Sequence, residues 1–271
     1  MPRRQADFKG IGKQEQIDMQ EKKRVCLRVA YDGGAYCGWQ AQNNGRTIEG
    51  ELNRVLRDLT GEEIQVIGAS RTDAGVHGLC NVAVFDTASR IPGEKFSYAL
   101  NQRLPEDIRV RGSREVPSDF HPRHCNSRKT YEYHILNAAF PDPVRRLYSH
   151  FTYVPLDVEK MRQAAKYLAG EHDFASFCSA GSQAESTVRT IYALDVEKTG
   201  EEIVIRVTGG GFLYNMVRII AGTLMEAGCG RMEPEKMEEI LAAKDRSAAG
   251  PTAPACGLIL AGLVYEEKGA G

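Results

Sequence analysis

The stretch RVCLRVAYDGG (24–34) decides the first half of the fold. Val25, Leu27, Val29 and Tyr31 recur at every second position and so share one face of a half-buried strand. Asp32, Gly33 and Gly34 end it with turn chemistry. A loop with Trp39 and Gln40 follows. Thr47 then stands as an N-cap before Ile48, Leu52, Val55, Leu56 and Leu59, which repeat at helical spacing until Gly61 stops the helix. Residues 63–67 and 79–85 are predicted strands on either side of a polar loop, 70–78. Residues 92–104 are a predicted helix with proline in its first turn, and 108–116 alternate again. The order β-α-β-β-α-β is the ferredoxin-like pattern.

The second half repeats that order with additions. Strands are predicted over 130–136, 147–153, 187–196, 203–208 and 258–265. Helices are predicted over 157–168, ending at Gly170, and over 212–227 and 233–244. The halves share element order but no internal sequence repeat. The expected organisation is a tail over 1–22, a half over 23–125, a half over 126–266 and a short tail over 267–271. The fold class is α+β: two ferredoxin-like, RRM-like halves whose mostly antiparallel sheets flank a central cleft.

With 271 residues, the chain has room for one or two domains of about 150 residues each. A hydrophobic content of 42% with 26% charged residues is that of a globular chain, not a disordered or collagen-like one. No apolar stretch is long enough to span a bilayer. Residues 1–23 are polar and charged throughout and lack the apolar core of a secretory signal, so they read as a loose leader without chemistry. The seven cysteines are odd in number and dispersed. That pattern fits a reducing compartment, and the cytoplasm is expected. His121, His124 and Cys125 lack a second ligand pair at zinc spacing, so no metal is expected.

The net charge of −1 excludes a histone-like polycation but not a local basic surface. Residues 103–146 hold nine Lys/Arg against six Asp/Glu, a local +3, with Phe120, Tyr131, Tyr133 and Phe140 interleaved. Basic charge with interleaved aromatics suits a surface that tracks phosphates and stacks bases. A solvated face at a domain junction has the same composition.

Three places carry candidate chemistry. RTDAGVHG (71–78) packs Arg71, Asp73 and His77 into a loop between strands, where a carboxylate is either catalytic or the acceptor of an Asx-turn. Arg218 lies on an otherwise apolar helix. There it either pairs with a carboxylate, Asp73 being the candidate, or reaches out to solvent. Tyr131, on a strand beside the basic segment, either stacks a base and moves a proton or is an ordinary half-buried strand tyrosine.

At these residues the sequence resembles the tRNA pseudouridine synthase A family. The motifs are YDGGAYCGWQAQ (31–42), RTDAGVHG (71–78), RKTYEYHILN (128–137), GGGFLYNMVRIIAGTL (209–224) and AGPTAPACGLIL (249–260), in order along nearly the whole chain. Ser70 departs from the glycine more usual before the arginine. The resemblance implies isomerisation of uridine to pseudouridine on the 3′ side of the tRNA anticodon stem-loop, by a homodimer without a cofactor. It makes Asp73 the catalytic aspartate, Tyr131 the residue that stacks on the target base, and Arg218 the partner of the carboxylate. Arg71 binds RNA or helps to extrude the base, and Leu258 lines the pocket. Arg123, Arg128 and Arg145 are expected to contribute to the tRNA surface. Two other readings stand beside it: a non-catalytic RRM-like RNA-binding module, which has no need of Asp73, and an aspartic-type hydrolase, which needs a second carboxylate.

Overall fold

The structure is a computed structural model that describes residues 22–43 and 45–266. The two expected tails fall outside these residues apart from Lys22.

The first half runs β1 (Lys23–Tyr31), α1 (Ile48–Thr60), β2 (Ile67–Gly68), β3 (His77–Thr87), α2 (Phe96–Asn101) and β4 (Ile108–Val116). Local signals set β1 and α1. The alternating face of β1 is buried, Thr47 accepts the Gly50 N–H at 3.2 Å, and Gly61 closes α1 in the left-handed region at φ 75°. The second half runs β5 (Ser127–Asn137), β6 (His150–Thr152), α3 (Val158–Lys166), β7 (Gly170–Asp173), β8 (Val188–Thr199), β9 (Glu202–Gly209), α4 (Met216–Gly228), α5 (Lys236–Ala243) and β10 (Leu258–Tyr265).

Several predicted elements shrink. The 63–67 strand reduces to the two residues of β2, and the 92–104 helix to a 3₁₀ turn followed by α2. The strand expected over 147–153 is the three-residue β6. The helix expected from Phe212 begins at Met216, because Asn215 adopts φ 60° and breaks the helical path before it. β7 was not anticipated from the sequence.

Strand order in the first half is β4-β1-β3, with β2 on the far side of β3; in the second half it is β10-β5-β9-β8-β7. Within each half all of these neighbours are antiparallel, and β6 adds a parallel pair to β5. Each half has its own apolar core. One gathers Leu27, Trp39, Leu52, Phe85 and Phe96; the other gathers Tyr133, Phe174, Phe177, Ile205 and Ile220. The expected pair of separate sheets is corrected. The halves meet edge to edge in a single ten-stranded sheet.

The join is short. β3 pairs with β10 in parallel through His77 with Ile259 and Gly78 with Leu260. β3 can take both neighbours because they share one edge: β10 uses its first two residues and β2 uses Ala83 and Val84. Residues directly opposite one another point to the same face of a sheet. One row therefore crosses the seam: Tyr31, Gly78, Leu260, Tyr131 and Val207. Gly78 is required in it, since a Cβ there would stand 2.6 Å from Cζ of the buried Tyr31 ring. Gly78→Ala is expected to lower the unfolding free energy by about 1–3 kcal/mol, the cost of overpacking a tight contact. Urea denaturation measures it, and an unchanged midpoint would contradict the packing described.

Candidate active site

The loop carrying Asp73 lies between β2 and β3, against the seam. Its backbone is fixed from several sides. The Asn81 side chain accepts from Ser70 N–H at 3.2 Å and donates to Ser70 O at 3.0 Å. The Tyr31 hydroxyl shares a hydrogen bond with Thr72 Oγ1 at 2.9 Å. Trp39 N–H donates to Thr72 O at 3.0 Å, and Gly75 N–H to Tyr36 O at 3.2 Å. Gly38, at φ 92°, lets this neighbouring loop come close: a Cβ there would lie 2.6 Å from Thr72 O. Val76, from the same loop, is buried in the core of the second half. The loop thus belongs to the first half in sequence and to both in packing.

Residues of both halves line a cleft of about 970 Å³. Among them are Arg71, Asp73, Arg123, Lys129, Tyr131 and Leu258, and Asp73 is the one carboxylate in the lining among the described residues. No protein hydrogen bond to the Asp73 carboxylate occurs among the described residues, so it is not the acceptor of an Asx-turn. Arg218 Nη1 approaches Asp73 Oδ2 at 3.8 Å, an ion pair without a hydrogen bond. Arg218 is held by other groups: Nε donates to Ala253 O at 2.7 Å and Nη1 to Asn215 Oδ1 at 2.9 Å. Burial pushes the Asp73 carboxyl above its ordinary value, and the Arg218 charge works against that shift.

Tyr131 is buried on β5, its ring edge-on to Phe212 with centroids 5.3 Å apart. Burial raises its hydroxyl well above the usual phenol range, so it stays neutral at physiological pH. Leu258 opens β10, opposite Tyr133. Among the described residues no group of three or more His, Cys, Asp or Glu is placed to hold a metal ion, and no helix is long and apolar enough to cross a membrane.

The sequence profile described as tRNA pseudouridine synthase matches residues 28–124 and 164–266. A curated protein from Brevibacillus brevis, named tRNA pseudouridine synthase A, is 50% identical over 243 residues, covering 90% of this chain and 100% of that protein. The chain belongs to the tRNA pseudouridine synthase family.

Other relatives agree. A Thermoanaerobacter protein named tRNA pseudouridine synthase A is 47% identical over 90% of this chain and 100% of that protein. One from Clostridium tetani, named tRNA pseudouridine synthase A 2, is 48% identical over 90% of this chain and 99% of that protein. A solved Cbf5-Nop10-Gar1 complex is similar at 15% identity with a TM-score of 0.33, over 74% of this chain and 45% of that one, which is too slight a likeness to carry an argument.

Within this member of the family, the sequence-derived residues divide. Asp73, Arg71, Tyr131, Leu258 and Arg123 line one cleft, with Arg218 behind Asp73. Arg128 and Arg145 do not line it. Arg128 pairs with Glu266 at 2.8 Å and lies over the Tyr192 ring; Arg145 lies 3.7 Å from Asp142 and 3.8 Å from Glu202. Sequence reasoning passed over Asn215 and Lys129. Lys129 had a signal, since it precedes Tyr131 by two positions and shares its strand face. Asn215 had only its place in the 209–224 motif, four residues after its three glycines.

The raised carboxyl of Asp73 has a consequence for stability. A carboxyl that holds its proton more tightly when folded loses stability as pH rises from its unfolded value through its folded one. Above that window the ionised Asp73 is destabilising. Asp73→Asn is therefore expected to melt at a higher temperature than wild type at neutral pH, with the gap closing in acid. Calorimetry at two pH values checks it, and a lower melting temperature at neutral pH would contradict the balance of burial over Arg218.

Proposed function

We propose that the protein isomerises uridine to pseudouridine on the 3′ side of the anticodon stem-loop of tRNA, with Asp73 as the catalytic group. The observation that carries the reading is a carboxylate that stands alone in a cleft among the described residues, opposed by Arg218 and beside a neutral, buried tyrosine, in a chain of this family. The reaction breaks the N1–C1′ bond, turns the uracil, joins C5 to C1′ and releases the C5 proton. It needs one carboxylate as nucleophile or base. Arg218 favours the ionised form against the burial that opposes it. Tyr131 offers an aromatic surface for an extruded base, which offsets part of the few kcal/mol that unstacking costs. As a neutral phenol it acts as a hydrogen-bond donor or a relay, not as a standing phenolate. Arg71 lies two residues from Asp73 and meets the RNA beside the extruded base, while Leu258 closes the apolar side of the pocket.

Two ferredoxin-like halves, 23–125 and 126–266, form the working scaffold in this reading. Its support is the shared strand order: β4-β1-β3-β2 in one half and β10-β5-β9-β8 in the other. Arg123 contributes to tRNA binding from the cleft, and Arg128 and Arg145 from outside it. The protein works in the cytoplasm as a homodimer without a cofactor. Sedimentation at the mass of two chains checks the dimer, and a monomer at micromolar concentration would contradict it.

The reading is tested by tritium release from tRNA transcribed with 5-³H-uridine. Wild type releases tritium; Asp73→Ala releases none and still binds tRNA. Binding without release by wild type would leave the RRM-like module instead. A hydrolase of the aspartic type would need a second carboxylate near Asp73, and none lines the cleft among the described residues.

A further inference from the structure

The cations that line the cleft, Arg71, Arg123 and Lys129, have no carboxylate within 4.0 Å among the described residues; Arg218, outside the lining, faces Asp73. Lys129 is the least expected of them. It is half-buried on β5, opposite uncharged Leu263 on β10 and Gly209 on β9, and its Nζ donates to Ala69 O at 3.0 Å. That is its one hydrogen bond to protein among the described residues, so two of its three N–H groups are left for a ligand.

Resting on the reading above, we infer that Lys129, with Arg71 and Arg123, forms an anion subsite that holds one backbone phosphate of the RNA beside the extruded nucleotide. Like charges gathered without a counter-ion oppose one another, and an anion relieves them. Burial, with Arg123 adding to it, pushes the Lys129 ammonium down to about 8. Burial and then Arg71 lower Arg123 in the same sense, while Glu49 acts on Arg123 only at longer range. Cys37, Asp73, Tyr131 and Tyr214 are the other titratable groups lining the cleft among the described residues. Ser70, between Ala69 and Arg71, is buried in the cleft lining with its hydroxyl beside that of Tyr131. Its backbone is pinned by Asn81, which accepts from its N–H and donates to its carbonyl. An ammonium and two guanidinium groups form a donor set suited to phosphate oxygens.

The test uses full-length tRNA transcript and the Asp73→Asn protein, so that no turnover alters the RNA. Dissociation constants are measured for this parent and for the same protein carrying Lys129→Met or Lys129→Arg, against salt and from about pH 7 to about pH 9. Lys129→Met is expected to weaken binding about tenfold at neutral pH and to lower the slope of log Kd against log salt by about one. Lys129→Arg restores both. Parent affinity falls as pH rises through about 8, where Lys129 loses its charge, and the arginine variant lacks that fall. Parent-like affinity and salt slope in Lys129→Met overturn the subsite. If that variant melts early, the arginine variant alone decides, and a persisting pH-dependent fall overturns it. Tritium release by wild type with no Lys129 effect sinks only the subsite. No tritium release and no tRNA binding sinks the reading on which it rests.

Discussion

The parallel contact of His77 and Gly78 with Ile259 and Leu260 is the interaction on which the site depends. It is two residue pairs long, yet it turns two sheets into one and fixes the distance between a loop of the first half and a strand of the second. Asp73 lies four residues before this contact, and Tyr131 faces Leu260 one strand further on. The burial of Val76 in the second core adds an apolar anchor to the two hydrogen-bonded pairs. A catalytic group on a loop gains its precision from the rigid elements that hold the loop, and here those elements come from both halves.

The electrostatics of the cleft follow from its asymmetry: one carboxylate against several cations. Burial alone favours the protonated form of Asp73. Arg218 counters this, and it can do so without being drawn onto the carboxylate because Ala253 O and Asn215 hold its guanidinium. A direct hydrogen bond would lower the carboxyl further but occupy the oxygens that chemistry needs. The 3.8 Å separation leaves both oxygens of Asp73 without a protein partner among the described residues. The folded state tolerates a partly desolvated charge at this point, which is how active sites commonly sit at odds with stability.

What was legible in the sequence was local. β1 and α1 follow from alternation, helical spacing, the Thr47 cap and the Gly61 stop, all decided within a few residues. The start of α4 was not legible, because Asn215 takes its left-handed conformation while bonding Ser179, Nδ2 to Oγ at 3.0 Å, and Arg218, contacts that the local pattern does not encode. The seam was hidden for the same reason: it joins segments far apart along the chain. Motifs singled out Asp73, Tyr131 and Arg218, but the residues alone left each with an ordinary structural alternative until distances were known. Charge counting found a basic segment and could not separate Arg123, which lines the cleft with no acidic partner among the described residues, from Arg128 and Arg145, which have acidic partners. It counted Lys129 with the rest and could not single it out, because its significance lies in its burial.

The central claim is that one nucleotide of an RNA leaves its stack and lies between Tyr131 and the carboxylate of Asp73. The most direct measurement is a crystal structure of the Asp73→Asn protein bound to tRNA. The account predicts a uridine in the cleft with its ring against Tyr131 and its reacting atoms beside the carboxamide that replaces the carboxylate. A complex in which the RNA crosses the protein elsewhere, with the cleft holding no base, would contradict it.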